Sequence, residues 1–168
     1  MFSFVIILAF VVFVVYNRDV LNMNMTDYFF YLKGSWDFQR SISNGSKVIG
    51  KALFQIRGEN TLHYREEGIL TTPEGNSLTC YQEYVYRLED GAIHLFFNEN
   101  PLRFFYTVRL TDPFLRRACG EHLCLSDLYR ATYFFESERN FTLQYVVNGP
   151  SKNYQIITKF SKVEFLMD

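Results

Sequence analysis

The sequence is short of several things. Its 168 residues include only three cysteines, three histidines, four prolines and one tryptophan. An odd cysteine count excludes a framework in which every thiol is paired within one chain. Cys80, Cys119 and Cys124 therefore read as free, mostly buried thiols, although Cys119 and Cys124 could close a small loop in an oxidising compartment. With no second cysteine pair and so few histidines, no zinc site is expected, and a haem held by one barrel histidine has little support. Basic residues are not in excess: 17 Lys and Arg stand against 18 Asp and Glu, a formal net charge of −1. A general nucleic-acid binder needs a basic stripe, and none is present. The chain also lacks a phosphate-cradling glycine loop, a dinucleotide-binding glycine set, a serine-nucleophile elbow and a metalloprotease helix motif. No cofactor is expected.

What the sequence has in abundance is aromatic side chains, 18 Phe and 12 Tyr, for an aromatic share of 18%. Such residues favour pleated, half-buried surfaces, which points to a β-rich protein. Residues 1–16 carry no charge, and Ser3 is their only polar residue. This run is slightly short for a bilayer-spanning helix, but Val20 and Leu21 extend it past Arg18 and Asp19. Three readings fit it: an apolar N-terminal helix serving as membrane anchor over residues 1–21, a cleaved secretory signal, or an over-called start with translation beginning at Met23 or Met25. The first places the protein at a membrane and the last in the cytoplasm. The division is a leader over 1–26 and a domain over 27–168. Removing the leader leaves the aromatic share near 18%, so the excess belongs to the domain. Sequons at Asn24, Asn44 and Asn140 matter only if that domain is secreted.

From Gly34 onward the pattern is strand, turn, strand. Trp36, Phe38, Arg40 and Ile42 alternate with Ser35, Asp37, Gln39 and Ser41, a period of two. Asn44-Gly45 is a strong hairpin signal. Further runs follow at about 48–56, 62–70, 77–88, 92–97, 103–110, 128–136, 141–148 and 154–164, with an irregular piece over 111–127. There is no βαβ rhythm and no internal repeat. Regular strands with short connections predict an all-β, antiparallel up-and-down barrel of about 8–10 strands, because closure removes edges that long aromatic strands would otherwise expose.

Inside such a barrel the third strand would place Leu62, Tyr64, Glu66, Gly68 and Leu70 inward. A buried carboxylate needs a partner, and Arg40 shares the inward phase of Trp36 and Phe38. An interior Arg40–Glu66 pair follows, either fixing strand register or anchoring a ligand at the bottom of a cavity. In the irregular piece, His122 with Asp127 could orient an imidazole for proton transfer, and His122 with Cys124 could act as base and nucleophile. Asp127 could equally turn the chain into its next strand. Gly149 and Pro150 set a turn that would place Lys152 near the barrel mouth.

Several segments occur together: Leu32-Lys33-Gly34-Ser35-Trp36, Tyr64-Arg65-Glu66-Glu67-Gly68, Glu83-Tyr84-Val85-Tyr86-Arg87-Leu88, His122-Leu123-Cys124, Asp127-Leu128-Tyr129 and Gly149-Pro150-Ser151-Lys152-Asn153-Tyr154. In this order and spacing they resemble the DUF6314 family, a domain of unknown function, over residues 31–162. The resemblance implies a small lipocalin-like barrel and no known reaction. The chain departs from the family pattern at Tyr106, where His is usual, at Leu125, where Gly is usual, and at Ser151 and Asn153, where a basic and an acidic residue are usual. Gly34-x-Trp36 also looks like the lipocalin first-strand signature. In that arrangement the indole closes one barrel end beneath a basic residue of the last strand, here Lys159 or Lys162.

The function expected is binding of a small apolar or aromatic ligand by a monomeric barrel. The alternatives are an enzyme using a pocket carboxylate or a His–Asp pair, and a membrane-tethered structural or interaction domain. Candidate residues of the pocket or its mouth are Arg40, Tyr64, Glu66, Tyr84, Tyr106, His122, Asp127, Tyr129 and Lys152.

Overall fold

The computed structural model describes residues 23–150 and 152–163. A short helix, α1 (Met25–Leu32), leads into ten strands: β1 (Gly34–Ile42), β2 (Lys47–Ile56), β3 (Thr61–Thr71), β4 (Ser77–Glu89), β5 (Ala92–Phe97), β6 (Arg103–Asp112), β7 (Arg117–Cys124), β8 (Asp127–Phe135), β9 (Asn140–Asn148) and β10 (Asn153–Lys162). Each strand pairs antiparallel with its neighbours in sequence, and β1 pairs with β10 to close the barrel. This is the expected up-and-down topology. The anchor, signal and over-called-start readings of residues 1–21 lie outside the described residues. Among the described residues no helix is long and apolar enough to cross a membrane.

The helix forms because its first turn is capped. Asn24 Oδ1 accepts from the amides of Thr26 and Asp27, and Asp27 Oδ2 accepts from the Asn24 amide, at 2.8–3.2 Å. This reciprocal arrangement satisfies donors that a helix start otherwise leaves orphaned. Met25, Tyr28, Phe29 and Leu32 are its buried residues, the spacing of one helical face. The chain leaves the helix at Lys33 and turns at Gly34, whose φ is +114°.

That face plugs one end of the barrel. Tyr28 stacks on Phe135 at 4.1 Å, and Trp36 meets Phe141 edge-on at 4.9 Å. Phe141 in turn stacks on Phe160 at 4.3 Å. Such pairs contribute about 0.5–1.5 kcal/mol each beyond area burial. Trp36 is fully buried, and its Nε1 donates to the Leu32 carbonyl at 2.8 Å, tying β1 to α1. Lys162, directly across from Trp36 in the β1–β10 register, holds its Nζ 5.0 Å over the indole and donates to the Tyr31 carbonyl at 2.9 Å. The basic cover expected over Trp36 is therefore Lys162. Lys159 is exposed on the outer face.

One strand has no counterpart in the sequence pattern. The piece over 111–127 reads as irregular, but it contains the end of β6, a tight connection and all of β7. The interior positions of β7 are poor in large apolar side chains: Ala118, Gly120 and His122. The reason lies on β6. A Cβ on Gly120 would meet the Tyr106 ring at 2.5 Å, so β7 is small where the neighbouring strand is large.

Candidate functional site

Above the aromatic plug the barrel is hollow. A cavity of about 330 Å³ runs from Phe54, Phe141 and Phe160 toward the open end, where Ile42, Leu70 and Tyr154 line it. Seven tyrosines contribute to its wall: Tyr64, Tyr84, Tyr86, Tyr129, Tyr133, Tyr145 and Tyr154.

The strongest polar feature crosses this space. Arg40 Nη1 and Nη2 each donate to one oxygen of Glu66 at 2.7 Å, a bidentate pair, and Arg40 Nε donates to Thr158 Oγ1 at 2.9 Å. Tyr64 donates its hydroxyl proton to Glu66 Oε2. The pair expected from the shared inward phase of Arg40 and Glu66 is present. Its strand geometry is specific. Arg40 lies in the register row of Val48 and Leu70, and Glu66 in the row of Ala52 and Trp36. Between them sits Gly50 opposite Gly68, flanked in the same row by Phe38 on β1 and Cys80 on β4. A Cβ on Gly50 would approach the Glu67 carbonyl oxygen to 2.1 Å, so β2 carries no side chain at this point. Glu66 is 4% exposed. Burial pulls the Arg40 guanidinium down, but the hydrogen bond and charge of Glu66 more than offset it, and Arg40 stands above its ordinary value.

A second polar group is a chain of phenols. Tyr106 Oη lies 3.2 Å from Tyr133 Oη and 2.5 Å from Tyr145 Oη, and Tyr86 Oη lies 3.5 Å from Tyr133 Oη. Burial, reinforced by the neighbouring phenols, pushes Tyr86, Tyr106 and Tyr145 well above the usual tyrosine value. Burial and then the Glu66 charge do the same to Tyr64, and push Tyr84 up to about 12. These rings are neutral hydroxyl groups at ordinary pH.

The remaining candidates gather at the open end. Lys152 Nζ donates to Tyr129 Oη at 2.7 Å and lies 3.7 Å from Asp127 Oδ2. Asp127 is buried as the first residue of β8. His122 packs its ring 4.8 Å from Phe105, with Nδ1 2.8 Å from the Phe105 carbonyl oxygen. Cys80, Cys119 and Cys124 are free thiols. Among the described residues no group of His, Cys, Asp and Glu could hold a metal ion.

The candidates thus divide. Arg40, Tyr64, Glu66, Tyr84 and Tyr129 line the cavity. Tyr106 sits behind it, reaching two lining phenols. Asp127 and Lys152 are together at the rim, and His122 is held by Phe105. Sequence reasoning missed Thr158, Tyr133, Tyr145 and Phe105. Thr158 shares the inward phase of Ile156 and Phe160, and Tyr133 and Tyr145 fall on runs that alternate, so phase alone could have found them. Phe105 is inward only because the β5–β6 register shifts between Leu95 and Phe96, and nothing in the sequence marks that bulge.

The sequence matches a family of unknown function, DUF6314, over residues 32–162, and the chain belongs to that family. No curated protein matches it. Among solved structures it is similar to the S-type phycobiliprotein lyase CPES from Guillardia theta, with a TM-score of 0.66 and 9% identity, covering 88% of this chain and 97% of that one. It is also similar to the redesigned β-barrel mFAP0 bound to DFHBI, with a TM-score of 0.44 and 16% identity, covering 79% of this chain and 99% of that one. At 9% identity the likeness to the lyase is one of fold: a lipocalin-like barrel.

Proposed function

We propose that this member of the DUF6314 family binds a small, largely aromatic molecule inside its barrel. The observation that carries the reading is the cavity of about 330 Å³, walled by aromatic rings and crossed by one buried ion pair. Pockets of this size, mostly apolar with a few placed polar groups, are the usual form of a small-molecule site. The solved relative at 0.66 is named as a phycobiliprotein lyase, and the resemblance to it supports the architecture, not that chemistry.

The polar geometry favours an anchor over a proton-transfer centre. A carboxylate offers about four lone-pair sites, and Glu66 already accepts two bonds from Arg40 and one from Tyr64. A general base must present a free acceptor to the proton it takes. The Nδ1–H of His122 donates to the backbone carbonyl of Phe105, which fixes the tautomer and orientation of the ring.

The test is native mass spectrometry of the freshly purified full-length protein, followed by titration with phenylnaphthylamine, a neutral fluorophore that brightens in apolar surroundings. A retained small-molecule mass, or saturable brightening at one site per chain, is the expected result. Brightening should disappear in Leu143→Trp, which fills the space. The absence of both a retained mass and saturable brightening would overturn the reading.

A further inference from the structure

The cavity has a chemistry as well as a size, and its charges and hydrogens can be counted. Arg40 and Glu66 are the two ionised side chains on the lining, and they neutralise each other in a bidentate pair. Burial raises the phenols of Tyr64, Tyr84, Tyr86, Tyr133 and Tyr145, so these stay protonated and uncharged. The lining therefore has no net charge. Its rim is balanced too, because Lys152 already faces Asp127. An ionised ligand would be an unmatched charge in a largely apolar space, which is unfavourable.

The hydrogen count is not balanced. A guanidinium has five N–H donors. Three are used on Glu66 and Thr158, leaving two on a residue that lines the cavity. Tyr84 Oη accepts from Gln82 Nε2 at 2.7 Å, which leaves its own proton to give. Glu66 is nearly saturated as an acceptor, and Thr158 Oγ1 accepts from Arg40. Beside the ion pair the unspent groups are the donors of Arg40 and Tyr84, while the one unspent amide oxygen on the lining belongs to Gln82, an exposed residue.

From this imbalance we infer that the cavity takes an uncharged aromatic ligand bearing a carbonyl-type oxygen, which accepts hydrogen bonds from Arg40 and Tyr84. The class includes aryl ketones and quinones, and it excludes aromatic ligands that carry a carboxylate or an alkylammonium charge. The inference rests on the reading of the barrel as a binding site and narrows it. The same Arg40–Glu66 pair that closes the charge balance thereby also sets the selectivity. Without Glu66 the guanidinium would be an unmatched cation that calls for an anion.

Three naphthalenes that share one ring system test this: acetylnaphthalene, naphthoate and naphthylmethylammonium, titrated at neutral pH by quenching of tyrosine emission. The ketone should bind the wild-type protein at least about tenfold more tightly than either ion. Glu66→Gln should reverse the order, with naphthoate overtaking the ketone. Tyr84→Phe, a variant that removes one hydrogen-bonding hydroxyl, should weaken the ketone by about three- to tenfold and leave the melting temperature nearly unchanged. Naphthoate or the ammonium binding wild type as well as the ketone would overturn the inference while the barrel remained a binding site. If phenylnaphthylamine and all three naphthalenes fail to bind, the binding reading falls and the inference with it. Should Glu66→Gln not fold, the wild-type order and Tyr84→Phe still decide the matter.

Discussion

The two halves of the barrel interior are built by the same alternation and end in opposite states. At the end covered by α1, the inward residues are Trp36, Phe38, Phe135, Phe141 and Phe160, and they fill the space ring against ring. Toward the open end, the inward residues include Arg40, Glu66 and several tyrosines beside aliphatic residues such as Ile42 and Leu70, and a cavity remains. Both halves are aromatic, so hydrophobicity does not separate them. Hydroxyls and charges do. A phenylalanine can take whichever tilt closes a gap, whereas a tyrosine in the middle of the barrel must also place its oxygen. Three phenol–phenol contacts and the Glu66 contacts hold those rings to the wall. This contrast predicts that the plug carries more of the stability and that the tethered rings keep the hollow open.

The most direct way to break this comparison is to open the plug. Trp36→Ala removes the largest fully buried side chain together with its bond to Leu32. It should cost about 3–5 kcal/mol of unfolding free energy, the range for large aromatic truncations in cores. Urea denaturation followed by tyrosine fluorescence measures this. A cost below about 1 kcal/mol would mean that the plug is not the stabilising half.

The hollow half should respond differently to loss of its most conspicuous interaction. Replacing both members of a buried ion pair with apolar residues of similar volume is often neutral or stabilising, because the desolvation penalty disappears with the charges. Arg40→Met with Glu66→Leu should therefore unfold within about 1 kcal/mol of wild type or above it. The same double variant should lose preference among the three naphthalenes. Stability retained with selectivity lost would show that the pair serves the cavity. A loss comparable to that of Trp36→Ala would make it a structural clasp, and the contrast between the halves would fail.

How far each half could be read from the sequence also differs. The plug follows from local rules: period-two alternation placed Trp36 and Phe38 inward, and the first-strand motif set a basic residue over the indole. Only the choice between Lys159 and Lys162 needed the register. The ion pair was legible for the same reason, as two opposite charges on inward positions of strands that close together. What was not legible is what depends on neighbours two strands away. The identity of β7 was hidden because Gly120 yields to Tyr106, which erases the alternation that marks a strand. The facing glycines Gly50 and Gly68 read as ordinary strand positions until the register sets the two opposite each other. Phe105 entered the cavity wall through a bulge. That the interior is hollow at all is a sum over volumes on ten strands, and no single strand carries it.

The finest test of the comparison uses one atom in each half. Tyr28 sits in the plug with its hydroxyl buried and without a hydrogen-bond partner among the described residues. Tyr106 sits behind the hollow with its hydroxyl between Tyr133 and Tyr145. A buried polar group without a partner keeps its desolvation cost, while a paired one recovers it. Tyr28→Phe should therefore leave stability unchanged or raise it by up to about 1 kcal/mol, and Tyr106→Phe should lower it by about 1 kcal/mol. Both substitutions keep the ring and remove one oxygen, so packing is constant and the sign of the difference reads the hydroxyl alone. Paired melting curves at one pH measure it. Equal effects would mean that the phenols of the two halves are in the same environment, and the distinction between filled and tethered rings would have to be abandoned.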